Sequence, residues 1–267
     1  MSNPSEVPTL GDEAQQFLAE LDIKSPPGST DGSPTVTKLL GRSGPADVGI
    51  VATVVDLIAG HFILGQAWPC GISTTEMTIA GIHRLHGPGL LVATARLVSM
   101  TRARGCVEID LSIDGSTRGA ATATAVFNLF RLDDDLLAME APGAWSPGES
   151  SASLDEALWS RAGIEVDRGG HAAEVRLRPE IANHVSSLQG GVTVALLEAA
   201  AGTQLDPGTE IRSASVSYLS QGRVGPFRAT AHRTGPDADV VVVGAVDLGN
   251  EDRPLARGVF TTSPAPG

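Results

Sequence analysis

The sequence predicts an α+β chain of two similar units, each a long apolar helix enclosed by an antiparallel sheet, and three observations carry that expectation. The first is an internal repeat: QGGVTVALLEAAAG (189–202) lies over DVGIVATVVDLIAG (47–60) at a constant offset of 142, matching Gly191 to Gly49, Glu198 to Asp56, Ala201 to Ala59 and Gly202 to Gly60. The second is that both segments are apolar on nearly all sides, as a helix covered by a sheet must be. The third is the run of alternating strands after each, such as LLVATARLVSM and CVEIDLSI after the first, and SASVSYLS and DVVVVGAVDL after the second. One long helix followed by an antiparallel meander is most simply a sheet wrapped around that helix.

The elements follow in the same order in both units. Residues 1–34 hold a loose tail, a short amphipathic helix containing FLAELDI (17–23) and the loop PPGSTDGSP (26–34). The N-terminal unit, 35–130, opens with the strand TVTKLL, passes through the repeat helix, and continues from Ser73, Thr74 and Thr75 into strands, with HGPG (86–89) expected as a turn between two of them. RLDDDLLAMEAPGAWSPGESSAS, from 131 to 153, joins an acidic run to Pro, Gly and Ser and is expected to be a linker. The C-terminal unit, 154–264, sets LWSRAGI against FLAELDI, EVRLRP against TVTKLL, ATAHR against ATARL and LARGVFTT against AATATAVF, the offset drifting to 135 as unequal loops require. Two small sheets have exposed edges, and joining them edge to edge covers one edge of each.

Composition narrows the function. The chain's 267 residues suffice for proper cores, and a formal charge of −12 repels both nucleic acid and an anionic membrane surface. Two cysteines make no disulfide framework and the acidic N-terminus does not resemble a secretion signal, so a cytoplasmic location is expected. The weakly charged run from Leu57 to Thr75 is interrupted by His61, Gln66, Pro69 and three glycines, which makes it a poor bilayer helix. His61, His83, His86, His171 and His232 form no ligand-spaced cluster, so no metal is expected; phosphate-binding glycine loops are absent too.

Two carboxylates stand out against this background. Glu198 is the only formally charged residue between Gly190 and Leu205, and Asp56 the only one between Val48 and Thr75. Burying an unpaired carboxylate costs several kcal/mol or drives its pKa upward, so each calls for a reason. Thioester hydrolysis supplies one, since a carboxylate in a partly dry site can attack a carbonyl or activate water. Gly190 and Gly191 open a helix, where unpaired N–H groups and the positive end of the dipole can meet a developing oxyanion. The plainer alternative is that each acid reaches a backbone amide or an arginine and serves structure only.

Asn183, Gln189, Gly190, Gly191 and Glu198 together resemble the motif of the PaaI-like acyl-CoA thioesterases of the hotdog fold: an Asn, His-Gly-Gly after five residues, and an Asp or Glu after six more, with Gln here in place of His. The resemblance covers both units and implies two tandem hotdogs forming a pseudo-dimer within one chain, with the active site between them. It implies an acyl thioester as the small-molecule substrate, coenzyme A entering only as part of that substrate, and leaves a homodimer of the whole chain open. Related enzymes place a hydroxyl on the strand after the helix, which singles out Thr74 and Thr75; Gly191 is expected to bind substrate beside Gly190. In those enzymes the acid of one subunit works with the glycine amide and Asn of the other. The offset puts Gly41, Asp47 and Val48 opposite Asn183, Gln189 and Gly190, so the complete combination is Asp56 with Gly190, Gln189 and Asn183, and Glu198 is the weaker second acid.

Two other functions remain open at this level. A non-catalytic acyl-thioester binding module would suit Gln189 and the unequal repeats. A lyase of the same fold would use Asp56 with His61, or His184 with Glu198, although neither pair has its full surrounding pattern.

Overall fold

The computed structural model describes residues 23–24, 35–67, 69–115, 121–131, 158, 162–183, 185–235 and 239–265. The expected N-terminal helix except Ile23, the linker except Arg131, and the middle of LWSRAGI, residues 159–161, lie outside these residues.

Twelve strands form one antiparallel sheet. In chain order they are β1 (Ile23–Lys24), β2 (Thr35–Pro45), β3 (Cys70–Ala80), β4 (His86–Met100), β5 (Arg104–Ile113), β6 (Ala121–Arg131), β7 (Glu165–Asp167), β8 (Ala172–Val175), β9 (Thr209–Tyr218), β10 (Phe227–Arg233), β11 (Val240–Asp247) and β12 (Arg253–Pro264). Across the sheet they run β1-β2-β4-β5-β6-β3-β9-β12-β11-β10-β8-β7. The seam is β3 against β9, in register from Glu76 opposite Ser217 to Ala80 opposite Ser213. From that seam the two sets of six strands extend outward in the same sequential order. The pairing of β3 with β6 and of β9 with β12 also shifts at matching places, between Thr74 and Glu76 in one and between Ile211 and Ser213 in the other.

Two helices, α1 (Val48–Ala67) and α2 (Gly190–Gly202), pack on the sheet and on each other. By length and hydropathy α1 could cross a bilayer, but here the sheet and α2 cover most of it. Small residues make the covering close. Alternate positions of the strands turn Ala121, Ala123, Ala125 and Phe127, and likewise Phe227, Ala229 and Ala231, into the core. Where the helices cross, a Cβ on Gly49 would stand 2.6 Å from the Cβ of Ala195, and one on Gly191 would overlap Thr53. These two contacts are one another's counterparts at the offset of 142, so the helices meet through the same residues from each side. Buried Thr53 returns its hydroxyl to the Gly49 carbonyl at 2.8 Å, so this polar side chain is paired inside the crossing.

One expectation is corrected. HGPG (86–89) is not a turn but the start of β4, with His86 opposite Pro45, Gly87 opposite Gly44 and Gly89 opposite Leu40. The register of β2 against β4 breaks between Leu40 and Gly44, and such an irregularity accommodates glycine and proline inside a strand.

Candidate active site

The helix crossing brings the carboxylate of each helix to the first turn of the other. Asp56, on α1 and half-buried, lies beside Gly190: a Cβ added to that glycine would be 2.6 Å from Asp56 Oδ2 and 3.2 Å from its Cγ. Only glycine leaves room for an unrestrained carboxylate there. The other carboxylate oxygen, Oδ1, accepts a 2.7 Å hydrogen bond from the Thr74 hydroxyl, presented by β3 at its register shift. Burial pushes the Asp56 carboxyl above the usual aspartate range, and the Thr74 hydrogen bond opposes that rise.

Tyr218, the last residue of β9, completes this group and was not anticipated from the sequence. Its hydroxyl donates to the Gly190 carbonyl at 3.2 Å and stands 3.5 Å from the place a Gly190 Cβ would occupy. Burial first, and the Asp56 charge second, push its phenol well above the ordinary tyrosine range, so it remains a donor. Among the described residues, neither the Gly190 nor the Gly191 N–H has a protein acceptor. Both are first-turn groups of α2 and carry the positive end of its dipole.

The opposite crossing is built differently. The half-buried Glu198 carboxylate accepts the Val48 N–H on Oε1 and the Gly49 N–H on Oε2, each at 2.8 Å, and so occupies the first turn of α1. Burial and the neighbouring Asp47 carboxyl push the Glu198 pKa up to about 8, against the lowering effect of those two backbone donors. Matching the two register shifts sets Ile211 in the place of Thr74 and Gly81 in that of Tyr218. Neither can supply a hydroxyl.

The remaining expected site residues are close in the chain but differently employed. Asn183 Oδ1 accepts from the Val185 N–H at 3.1 Å and from the Ser187 N–H and hydroxyl, both at 3.0 Å. Gln189 Nε2 donates to the carbonyls of Ala182 at 3.2 Å and Glu180 at 3.5 Å. Both side chains therefore brace the loop that delivers Gly190. Thr75 turns its hydroxyl to the Val126 carbonyl at 3.2 Å, away from Asp56, while Gly191 is pressed on Thr53 and offers its N–H alone. His61 is exposed and bonded through Nδ1 to the Leu57 carbonyl at 2.9 Å, so it is not assembled with Asp56; His184 lies outside the described residues. No cluster of metal-ligating side chains occurs among the described residues.

No family profile matches this sequence, and no curated protein matches it by sequence. Solved structures do. An acyl-ACP thioesterase from Bacteroides thetaiotaomicron VPI-5482 superposes with a TM-score of 0.61 at 9% identity, covering 86% of this chain and 97% of that one. A 12:0-ACP thioesterase from Umbellularia californica gives 0.58 at 10% identity over 86% and 96%. A conserved protein of unknown function with a hot dog fold from Alicyclobacillus acidocaldarius gives 0.54 at 14% identity over 94% and 98%. At these identities the likeness shows architecture alone: the chain has the hot dog fold.

Proposed function

We propose that this chain is a thioester hydrolase acting on acyl-CoA or a related acyl thioester, and that its two units are tandem hotdogs paired as an intrachain pseudo-dimer with one working site. The observation that carries the reading is the carboxylate bound at the other crossing. Glu198 shows that the first-turn N–H pair of α1 holds two carboxyl oxygens at hydrogen-bond distance; the counterpart pair on α2, Gly190 and Gly191, lies beside Asp56 and, among the described residues, has no protein acceptor. A thioester carbonyl oxygen set there acquires its negative charge against two N–H donors and a helix dipole. Asp56 Oδ2 lies on the same side, next to the carbon that must be attacked.

In this reading Thr74 holds Oδ1 and leaves Oδ2 to take a proton from water, or to add to the acyl carbon directly. The carbon–sulfur bond then breaks, the thiolate leaves and is protonated, and water supplies the oxygen of the carboxylic acid product. A raised Asp56 pKa keeps its proton affinity high enough for base chemistry. Asn183 and Gln189 position Gly190 through the loop rather than touching substrate. The site uses no metal, and coenzyme A enters with the substrate.

The test is a panel of acyl-CoAs with a thiol-detecting readout, applied to the parent chain, Asp56→Asn and Glu198→Gln at matched fold stability. Asp56→Asn should abolish thiol release while Glu198→Gln retains most of it; the reverse order would overturn the cross-unit assignment. Stabilisation against heat by acyl-CoA with no thiol release from any substrate would instead establish a binding module.

A further inference from the structure

Tyr218 is the single tyrosine of the chain and reaches the site from β9, a strand distant in sequence from Asp56 and Thr74. Its acceptor, the Gly190 carbonyl, belongs to the peptide unit whose N–H is that of Gly191. A hydrogen bond accepted by an amide oxygen polarises that amide and strengthens its N–H as a donor. It also holds the peptide plane at two consecutive glycines, the residues whose backbone is least restrained by their own side chains. At the other crossing no such support occurs among the described residues: Gly81 stands in the place of Tyr218, and Glu198 grips the N–H pair directly.

We propose that Tyr218 is a positioning residue of the Asp56 site: by donating to the Gly190 carbonyl it fixes and polarises the Gly190–Gly191 peptide, aiming the Gly191 N–H at the substrate's carbonyl oxygen. The hydrogen-bond part stands on this geometry, whereas the substrate part rests on the thioester hydrolase reading. The site then has donors whose strength is set by a side chain outside the helix.

Two substitutions of opposite sign test it. Tyr218→Phe removes the donor and keeps the ring, while replacing the single tyrosine by its ring-fluorinated analogue makes the phenol a stronger donor and alters no other position. In glycine-labelled protein the Gly191 amide proton should move upfield in Tyr218→Phe and downfield in the fluorinated chain, with the Gly49 amide unmoved in both. Turnover of an acyl-CoA should fall about tenfold in kcat with KM nearly unchanged in Tyr218→Phe, less than the loss expected for deleting a donor outright. A Gly191 resonance that responds to neither change overturns the proposal, whatever the kinetics. A responsive Gly191 in a chain that hydrolyses no acyl thioester would keep the positioning role and overturn the hydrolase reading instead.

Discussion

Asp56→Glu is a conservative change that should inactivate the protein, and the structure says why. Lengthening the side chain by one methylene extends its reach by about 1.5 Å. At the opposite crossing a glutamate of that length, Glu198, meets both first-turn N–H groups at 2.8 Å. At position 56 the longer carboxylate should likewise take the Gly190 and Gly191 N–H groups and fill the place proposed for the thioester oxygen. Loss of one oxyanion donor costs about 3–4 kcal/mol, or 100- to 1000-fold in kcat, and here both are withdrawn together with the base, so thiol release should fall at least about 1000-fold. The same contact satisfies two orphan donors and places charge on the helix dipole, stabilising by about 1–2 kcal/mol before any crowding against Gly190 is subtracted. The thermal midpoint should therefore stay level or rise by a few degrees. Thiol release and a melting curve on the same sample decide it. Retention of more than about a tenth of kcat/KM would refute the idea that the shorter aspartate is what leaves the site open.

Three other outcomes follow from the same geometry. Gly190→Ala puts a methyl carbon 2.6 Å from Asp56 Oδ2, so kcat should drop by about 100-fold or more while the fold survives, as circular dichroism can check. Because Asp56 must be ionised in the proposed mechanism and its pKa is raised, the acid limb of kcat/KM against pH should fall above the usual aspartate pKa; a limb at or below that value would refute it. Glu198 has a folded pKa of about 8 against an ordinary 4.5, so the native state binds the extra proton between those limits. Its contribution is thus full below about pH 4.5 and lost as pH rises through 8, a span on the order of a few kcal/mol. Glu198→Gln should flatten that slope in urea-unfolding midpoints measured across the same range.

What the sequence made legible, and what it withheld, follows from which periodicities are local. A large antiparallel sheet around apolar helices could be read from alternation and from the near absence of a polar helix face, since both patterns are carried within a few residues. The offset of 142 went further once joined to the hotdog resemblance, which implies that the acid of one unit meets the glycine amide of the other; Asp47 and Val48 opposite Glu198 followed from the two together. Tyr218 and Thr74 could not be put together that way. Their meeting depends on the β3–β9 register and on a shift between Thr74 and Glu76 that reverses which residues face inward, and neither is written in either strand by itself. Asn183 and Gln189 illustrate the same limit: spacing placed them beside Gly190, but only the loop's own unpaired amides and carbonyls determine that their side chains turn back on the backbone. Besides the missing Thr74 and Tyr218 hydroxyls, the two crossings differ by one methylene, the one by which Glu198 reaches the amides of Val48 and Gly49 and which Asp56 lacks beside Gly190.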